Sequence, residues 1–261
     1  MKIAVRGKFL EEAKTASKML EKFNFEISDE SDILVAIGGD GTVFHCYRTI
    51  KKPILPVRSA SLASQGYVSD IGMDDLEAAC LKLQKNEFYI EKRPLLDVIK
   101  NNEKLCSATN DVTIVQVPPD AMRYGVYADG KPLFGYERLI GDGATIATPT
   151  GSTAYNRSAF GYILAPDSRQ FVVTLRYPIV LESRKDRSRR IDENSEIEFK
   201  FFNPEKAFLI ADNVCFTIRS SDKVIVKKSK ETFDLVRIEG MEEGRKSKEQ
   251  RRKKWFEMQL F

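Results

Sequence analysis

A run of apolar residues at 33–37 leads without a break into the turn GGDGT at 38–42. A short apolar run that ends in a turn predicts a buried strand, and the apolar spacing from 43 to 50 predicts a helix after it. A strand that turns through glycines into a helix is a building block of parallel α/β sheets, whose ligands collect where strands end in loops. The turn therefore predicts both a parallel α/β fold and the place of its ligand site.

The segments around this turn extend the same pattern. Apolar runs at 2–5 and 54–57 predict further strands, and helical spacing at 9–23 and 74–85 predicts helices between and after them. Beyond Arg93 the pattern changes to short apolar segments separated by turn residues, which is typical of an antiparallel β domain. The strands predicted there lie at 95–100, 111–116, 124–128, 171–175, 196–201, 208–211, 215–218 and 223–226.

We therefore expect two domains and a fold of the α/β plus β class. A Rossmann-like N-terminal α/β domain covers residues 1–93 and carries the GGDGT turn, and a β-rich, sandwich-like domain covers residues 94–239. The tail at 240–261 is predicted to form a basic helix that packs back on the first domain through its few apolar side chains.

Composition excludes several classes of function. With 42% hydrophobic and 31% charged residues the chain is typical of a soluble globular protein. No stretch approaches the roughly 20 apolar residues that span a membrane. The net charge of +4 owes much to the tail, which argues against nucleic-acid binding. The four cysteines lie far apart with no CxxC pair, so the sequence suggests neither a zinc site nor a disulfide framework. We expect a cytoplasmic protein with neither a membrane nor a nucleic acid as partner.

Asp40 is the residue of the turn that demands a chemical explanation. Glycines let the backbone approach a ligand, and the free N–H groups at the start of the following helix attract phosphate. A carboxylate placed there would repel phosphate unless it bound a metal ion or took a proton from an attacking hydroxyl. The structural alternative is that Asp40 only caps the helix. On the catalytic interpretation Gly39, Gly41 and Thr42 bind substrate phosphates beside it.

A second motif lies about one hundred residues further on, where GDG at 141–143 is followed by TPTGSTAY at 148–155. The apolar stretch between the two predicts a short strand that enters a loop rich in hydroxyl groups. Small residues let a ligand lie against the backbone, and the hydroxyls and the tyrosine ring offer hydrogen bonds and a stacking face. The alternative is an ordinary Ser/Thr/Gly turn that caps a helix.

Taken together, the two motifs resemble those of the NAD kinase family. GGDGT alone is shared with lipid kinases and marks a wider superfamily of phosphoryl transfer, and TPTGSTAY narrows the choice. Asn110-Asp111 at the start of a predicted strand is a third match, at a position where the family usually carries Asn-Glu. The resemblance extends in order and spacing over most of the chain. It implies transfer of the terminal phosphate of ATP, with Mg²⁺, to the 2′-hydroxyl of the adenosine ribose of NAD.

The resemblance also implies roles for individual residues. Asp40 corresponds to the catalytic aspartate, Asn110 and Asp111 to the pair that holds a ribose, and Tyr67 to the aromatic residue beside the adenine. The positions that line the dinucleotide site are Asp142, Thr153, Ala154, Tyr155 and Ser158. The family implies binding of NAD in a cleft between the two domains, and a homodimer or homotetramer.

Three departures from the family pattern keep other functions open. The segment at 56–68 is longer than usual, Asp111 is one methylene shorter than the usual glutamate, and the histidine of a PHSL-type stretch is missing around 175–179. One alternative is a related kinase that phosphorylates another nucleoside or another hydroxyl. The second is a dinucleotide-binding protein without catalytic activity, although a pure binder has no use for a carboxylate that faces phosphate.

Overall fold

The structure is a computed structural model, and it describes residues 1–61, 66–116, 120–179 and 184–241. These residues divide into two compact units. The first comprises Met1–Lys92 and the described residues 233–241, and the second comprises Arg93–Thr232. The predicted helix of the tail lies outside the described residues, and the domain bounds expected from the sequence, 1–93 and 94–239, remain a proposal.

The first unit is a parallel sheet with helices. Its strands and helices are β1 (Lys2–Gly7), α1 (Leu10–Lys22), β2 (Glu26–Ile27), β3 (Ile33–Gly38), α2 (Asp40–Ile50), β4 (Ile54–Arg58), β5 (Ile71–Gly72) and α3 (Leu76–Gln84). The strand order is β2-β1-β3-β4, and β5 pairs with β4, every pairing being parallel. Strand β3 is buried along its whole length, as expected for a central strand of a parallel sheet that is covered on both faces.

The core of this unit also takes residues from the far end of the chain. Helix α1 buries Ala16 and Leu20 in it, and α3 contributes Leu76 and the residues that follow at helical spacing. Val236 and Ile238 are buried in the same cluster. They belong to the last strand of the described residues, Val224–Ile238.

The second unit is built almost entirely from antiparallel strands. The remaining elements are β6 (Phe88–Lys100), β7 (Glu103–Ala108), β8 (Asp111–Val115), β9 (Met122–Ala128), β10 (Lys131–Pro132), β11 (Leu139–Gly141), β12 (Gly143–Ala147), α4 (Tyr155–Ser158), β13 (Gln170–Arg176), β14 (Ser188–Asp192), β15 (Ile197–Asn203), β16 (Lys206–Ala211), β17 (Val214–Arg219) and β18 (Val224–Ile238). One sheet has the order β14-β13-β12-β8-β16-β17. In the other group β9 pairs with β10, β11 and β15, the start of β18 pairs with β15, and β6 pairs with β7.

The core of the second unit holds the apolar side chains of both groups of strands. Tyr124 on β9 stacks on Phe199 on β15 with ring centroids 5.3 Å apart. The Tyr124 hydroxyl donates to the carbonyl of Gly143 at 2.7 Å, so the one polar atom of this buried ring has a partner. Burial raises the pKa of Tyr124, and the negative charge of Asp142 adds to that rise. The ring and the start of β12 are thereby tied together.

The expected fold class, α/β plus β, is confirmed. The elements differ from the prediction mainly in length. Helix α2 begins at Asp40 rather than at residue 43, and β18 extends over 15 residues where only 223–226 was predicted as strand. Six strands in the described part of the chain were not predicted, namely β2, β5, β7, β10, β11 and β14. In the ranges that the structure describes, no helix combines the length and the apolar character needed to cross a membrane.

Candidate functional site

The glycine turn joins β3 to α2 within the first unit. Strand β3 ends at Gly38, Gly39 precedes the helix, and Asp40 is its first residue. A Cβ on Gly38 would lie 2.5 Å from Oγ1 of Thr42, so only glycine lets the strand turn this closely into the helix. Gly41 is exposed with open space around it, which leaves room for a ligand at the start of the helix.

The carboxylate of Asp40 is held by backbone N–H groups from another loop. The N–H of Tyr67 lies 2.8 Å from both Oδ1 and Oδ2, and the N–H of Val68 donates to Oδ1 at 3.1 Å. Gly66 has a φ of +49°, and a Cβ there would lie 3.3 Å from Oδ1 of Asp40. The positive φ and this close approach both favour glycine beside the carboxylate.

These contacts argue against the structural alternative for Asp40. Gly39 occupies the N-cap position of α2, and no side chain makes a capping hydrogen bond there. The carboxylate is instead turned toward Tyr67 and Val68. A carboxylate held by backbone N–H groups keeps one orientation at the phosphate-binding end of the helix, which is the geometry that a positioned base or metal ligand requires.

The second unit holds the pair Asn110 and Asp111 at the start of β8. The carboxylate of Asp212, which follows β16, accepts from the N–H groups of Thr109 at 2.9 Å, Asn110 at 2.8 Å and Asp111 at 3.4 Å. In return the N–H of Asp212 donates to the carbonyl of Asp111 at 3.0 Å. Asp212 thus fixes the backbone that presents the expected ribose-binding pair.

The side chain of Asp111 is almost inaccessible to solvent. Burial raises the pKa of its carboxyl to about 7, and the negative charge of Asp212 adds to the rise. A hydrogen bond from Thr113 and the charge of Arg176 oppose it. Protonation of Asp111 near neutral pH would convert a pure acceptor into a group that can also donate to a ribose hydroxyl.

The raised pKa predicts a dependence of stability on pH. The folded state holds the Asp111 proton more tightly than the unfolded chain does. The stability that this group contributes is therefore fully present below the unfolded pKa of about 4, and it is lost as the pH rises through the folded pKa of about 7. Urea unfolding of wild type and Asp111→Asn at pH 5 and pH 8 measures it. The wild type should lose more free energy of unfolding between the two pH values, by up to about 2.7 kcal/mol, because this interval covers about two pKa units at about 1.4 kcal/mol each. Equal losses would contradict the prediction.

The loop at 148–155 uses its hydroxyl groups inside the protein. Thr148 Oγ1 donates to the carbonyl of Thr109 at 2.7 Å and accepts from the N–H of Gly151 at 3.0 Å. Ser152 Oγ donates to the carbonyl of Pro149 at 2.7 Å. Thr153 is buried as well, and its Oγ1 donates to the carbonyl of Thr150 at 3.2 Å. These hydroxyls hold the loop in shape, and a substrate contact by Thr153 remains a prediction.

Gly151 brings this loop against Asn110, the first residue of the expected ribose-binding pair. A Cβ on Gly151 would lie 2.0 Å from the carbonyl oxygen of Asn110, a distance that no side chain can occupy. The same carbonyl accepts from the N–H of Thr148 at 2.9 Å. The TPTGSTAY loop and Asn110 therefore form one packed structure within the second unit.

A cavity of about 100 Å³ lies beside the end of the same loop. Its walls are Tyr155, Ser158, Ala159, Phe160, Arg176, Tyr177 and Arg187. The guanidinium of Arg176 lies over the ring of Tyr155, 4.7 Å from its centroid, and Nε of Arg176 is buried without a hydrogen-bond partner. Aromatic rings and cationic side chains suit an anionic ligand with planar groups, such as a nucleotide.

The structure places the expected site residues in two groups. The first unit brings Asp40, Gly39, Gly41 and Thr42 together with the backbone of Tyr67. The second unit holds the others. Tyr155 and Ser158 line the cavity, Ala154 directly precedes α4, and the N–H of Asp142 donates to the carbonyl of Arg176 at 2.9 Å.

Sequence reasoning assigned no role to three residues that contact these groups: Asp212, Arg176 and Arg237, whose Nη1 donates to the carbonyl of Val68 at 2.6 Å. The two arginines each follow an apolar residue in a strand, and an isolated charge in such a segment could have been noticed as a buried or functional group. Asp212 gives no comparable signal, because an aspartate beside an asparagine after a strand is typical of a simple turn.

Among the described residues there is no group of three or more His, Cys, Asp or Glu side chains that could hold a metal ion. Both oxygens of Asp40 already accept backbone N–H groups. The described side chains therefore do not form a cage for Mg²⁺, which needs near-octahedral oxygen coordination.

The fold and the site together define a nucleotide-binding protein with a carboxylate at its glycine turn. Comparison with known proteins identifies the family. Residues 5–88 match the ATP-NAD kinase N-terminal domain, and residues 109–238 match the ATP-NAD kinase C-terminal domain. The NAD kinase of Lachnoclostridium phytofermentans is 30% identical over 227 residues, which cover 82% of this chain and 78% of the relative. The chain belongs to the NAD kinase family.

Solved structures agree at the level of the fold. An NAD kinase from Archaeoglobus fulgidus in complex with ATP superposes with a TM-score of 0.78 at 21% identity, covering 92% of this chain and 95% of that one. Yeast NADH kinase complexed with NADH gives a TM-score of 0.77 at 19% identity, covering 90% and 83%. Both have the fold described above.

Proposed function

We propose that the chain is an NAD kinase, which transfers the terminal phosphate of ATP to the 2′-hydroxyl of the adenosine ribose of NAD and so forms NADP. The observation that carries the proposal is the carboxylate of Asp40, fixed by two backbone N–H groups at a glycine turn that begins a helix. Membership in the family supplies the identity of the two substrates.

Asp40 acts as the base in this proposal. Its carboxylate accepts or orients the proton of the attacking hydroxyl, while the N–H groups at the start of α2 stabilise the negative charge of the phosphoryl oxygens. Phosphoryl transfer depends mainly on positioning and electrostatic stabilisation. The hydrogen bonds from Tyr67 and Val68 supply the positioning of the base, since they leave its carboxylate one orientation.

The second unit binds the dinucleotide. Asn110 and Asp111 hold the ribose, and Asp212 keeps their backbone in place through three hydrogen bonds. Another part of NAD binds in the cavity that Tyr155, Ser158 and Arg176 line. Thr153, Ala154 and Asp142 line the dinucleotide site between the ribose-binding pair and this cavity.

The remaining assignments follow from the family and from the chemistry of the donor. Mg²⁺ neutralises charge on the triphosphate when it is bound, and most of its ligands would be phosphate oxygens and water, as is usual for this ion. The protein is a homodimer or homotetramer in the cytoplasm. Tyr67 packs beside the adenine.

Incubation of the purified protein with MgCl₂, ATP and NAD tests the proposal, with NADP scored by an NADP-specific dehydrogenase. We expect NADP to accumulate with ATP and NAD both present and not with either alone. ATP consumption only with other nucleosides or hydroxyl acceptors would mean a related kinase. Calorimetric binding of NAD without any phosphate transfer would mean a dinucleotide-binding protein that has lost its activity.

A further inference from the structure

A fully buried arginine lies in the first unit close to the loop that holds Asp40. Arg237, near the end of β18, has a side chain that is only 1% exposed, and its neighbours Val236 and Ile238 belong to the apolar core. A buried guanidinium is costly unless it is paired and hydrogen-bonded. Its partners therefore indicate why the fold retains it.

Arg237 has two kinds of partner. Two carboxylates balance its charge: Oε2 of Glu91 accepts from Nε at 2.5 Å, and Oδ2 of Asp70 lies 3.1 Å from Nη1. The third partner carries no charge. Nη1 donates to the carbonyl oxygen of Val68 at 2.6 Å. Charge balance needs only the carboxylates, so the bond to Val68 has a separate effect, which is to fix the backbone at that residue.

The same residue, Val68, contacts Asp40 from its other side. Its N–H donates to Oδ1 of Asp40 at 3.1 Å, next to the N–H of Tyr67. Residues 66–70 belong to no helix or strand, so regular backbone hydrogen bonds do not fix their geometry. From Arg237 through Val68 to Asp40, an unbroken series of hydrogen bonds connects the core to the carboxylate.

We propose that Arg237 is a positioning residue for phosphoryl transfer. By holding the carbonyl of Val68 it keeps the N–H groups of Tyr67 and Val68 directed at Asp40, and so keeps the carboxylate aligned with the attacking hydroxyl. This inference rests on the proposed function for the catalytic role of Asp40. We call the hydrogen bond from Arg237 to the carbonyl of Val68 the clamp. Loss of the clamp should lower kcat more than it raises KM, since the substrates still bind while the base is misaligned.

The decisive variant removes the arginine without leaving buried charges unpaired. Arg237→Met alone strands the carboxylates of Asp70 and Glu91 in the core and would disturb folding. The triple variant R237M/D70N/E91Q is neutral throughout, so cooperative thermal unfolding is expected to persist in it. We expect its kcat to fall by about tenfold or more, with the KM values for NAD and ATP changed by less than about threefold.

Two further variants complete the comparison. Arg237→Lys keeps a charge between the carboxylates, and should retain more of kcat than the triple variant because an ammonium can still donate to Val68. Gln84→Met is the matched control, since Nε2 of Gln84 donates to the carbonyl of Phe23 at 2.6 Å in the same unit. It should leave kcat unchanged. A folded triple variant with kcat within threefold of wild type would overturn the proposal. If that variant fails to fold, kcat and amide exchange in Arg237→Lys decide: faster exchange at Tyr67 and Val68 with unchanged kcat would overturn the proposal, whereas unchanged exchange with unchanged kcat would show that the ammonium still holds Val68.

A measurement without turnover separates this inference from the proposed function. Amide hydrogen exchange at Tyr67 and Val68 should accelerate by about tenfold in the folded triple variant and stay as in wild type in Gln84→Met, while exchange at Val35 in the centre of β3 stays as in wild type in both. Unchanged exchange at Tyr67 and Val68 would refute the clamp even in a protein that forms no NADP. Faster exchange in such a protein would support the clamp and leave only the reaction misassigned.

Discussion

Asp40→Asn is expected to reduce NADP formation by about 10²- to 10⁴-fold, the range that loss of a positioned general base produces. The amide has nearly the same shape as the carboxylate but cannot take the proton of the attacking hydroxyl. Its oxygen can still accept from Tyr67 and Val68, so the fold should lose no more than about 1–3 kcal/mol of unfolding free energy. Initial rates with saturating MgATP and NAD, together with thermal unfolding, measure both effects.

Asp75→Asn is the matched control for this substitution. Oδ2 of Asp75 accepts from the N–H of Gly72 at 2.7 Å in the same unit, so this variant also weakens a carboxylate bond to the backbone. Its rate should stay close to that of wild type. Turnover that survives Asp40→Asn within a few-fold would remove Asp40 from the chemistry and return it to a structural role.

Gly151→Ala is expected to disrupt the second unit and the ribose-binding pair together. The new methyl group would lie 2.0 Å from the carbonyl oxygen of Asn110, so the backbone of the loop or of Asn110 must move. Overpacking against backbone costs about 3 kcal/mol or more, which corresponds to a fall in Tm of roughly 6–12 °C for a chain of this size. Because Asn110 is displaced, kcat/KM for NAD should fall by at least about tenfold.

Gly41→Ala separates the clash from the general effect of replacing a glycine. A Cβ on Gly41 meets nothing within 4 Å. Calorimetric melting should therefore show a large fall in Tm for Gly151→Ala. For Gly41→Ala the Tm should hardly change, because the free energy of unfolding changes by less than about 1 kcal/mol. Equal changes in Tm would show that the close contact at Gly151 relaxes without cost.

Local patterns in the sequence were sufficient for the parallel unit and for the position of Asp40. A buried strand, a glycine turn and a helix are each determined by neighbouring residues, so their order could be predicted. The helix begins at Asp40 rather than at residue 43, because the prediction assigned the glycine and threonine of the turn to a loop. In the structure these residues form the first turn of α2.

Long-range contacts could not be predicted in the same way. The sequence pattern predicted no strand between 176 and 195, yet Ser188–Asp192 forms an edge strand. Arg189 lies over the ring of Phe134, 5.4 Å from its centroid, and Arg190 lies over that of Tyr162 at 4.7 Å. Cation–π partners of this kind come from distant parts of the chain and leave no periodic signal.

The support of the candidate site was hidden for the same reason. Asp212 binds backbone N–H groups about one hundred residues before it, and Arg237 binds a carbonyl 169 residues before it. Both depend on which strands become neighbours. That is decided by the packing of the whole chain rather than by local spacing.

The contribution of β18 to the first unit has a consequence for the order of events during synthesis. Leu235 pairs with Ile54 on β4, and Val236 and Ile238 complete the core that β1 to β4 begin. A nascent chain that ends at residue 92 therefore has a sheet without the strand β18 and a core without the apolar side chains of Val236 and Ile238. The N-terminal unit must wait for almost the whole chain, so the second unit, though later in sequence, is free to fold first.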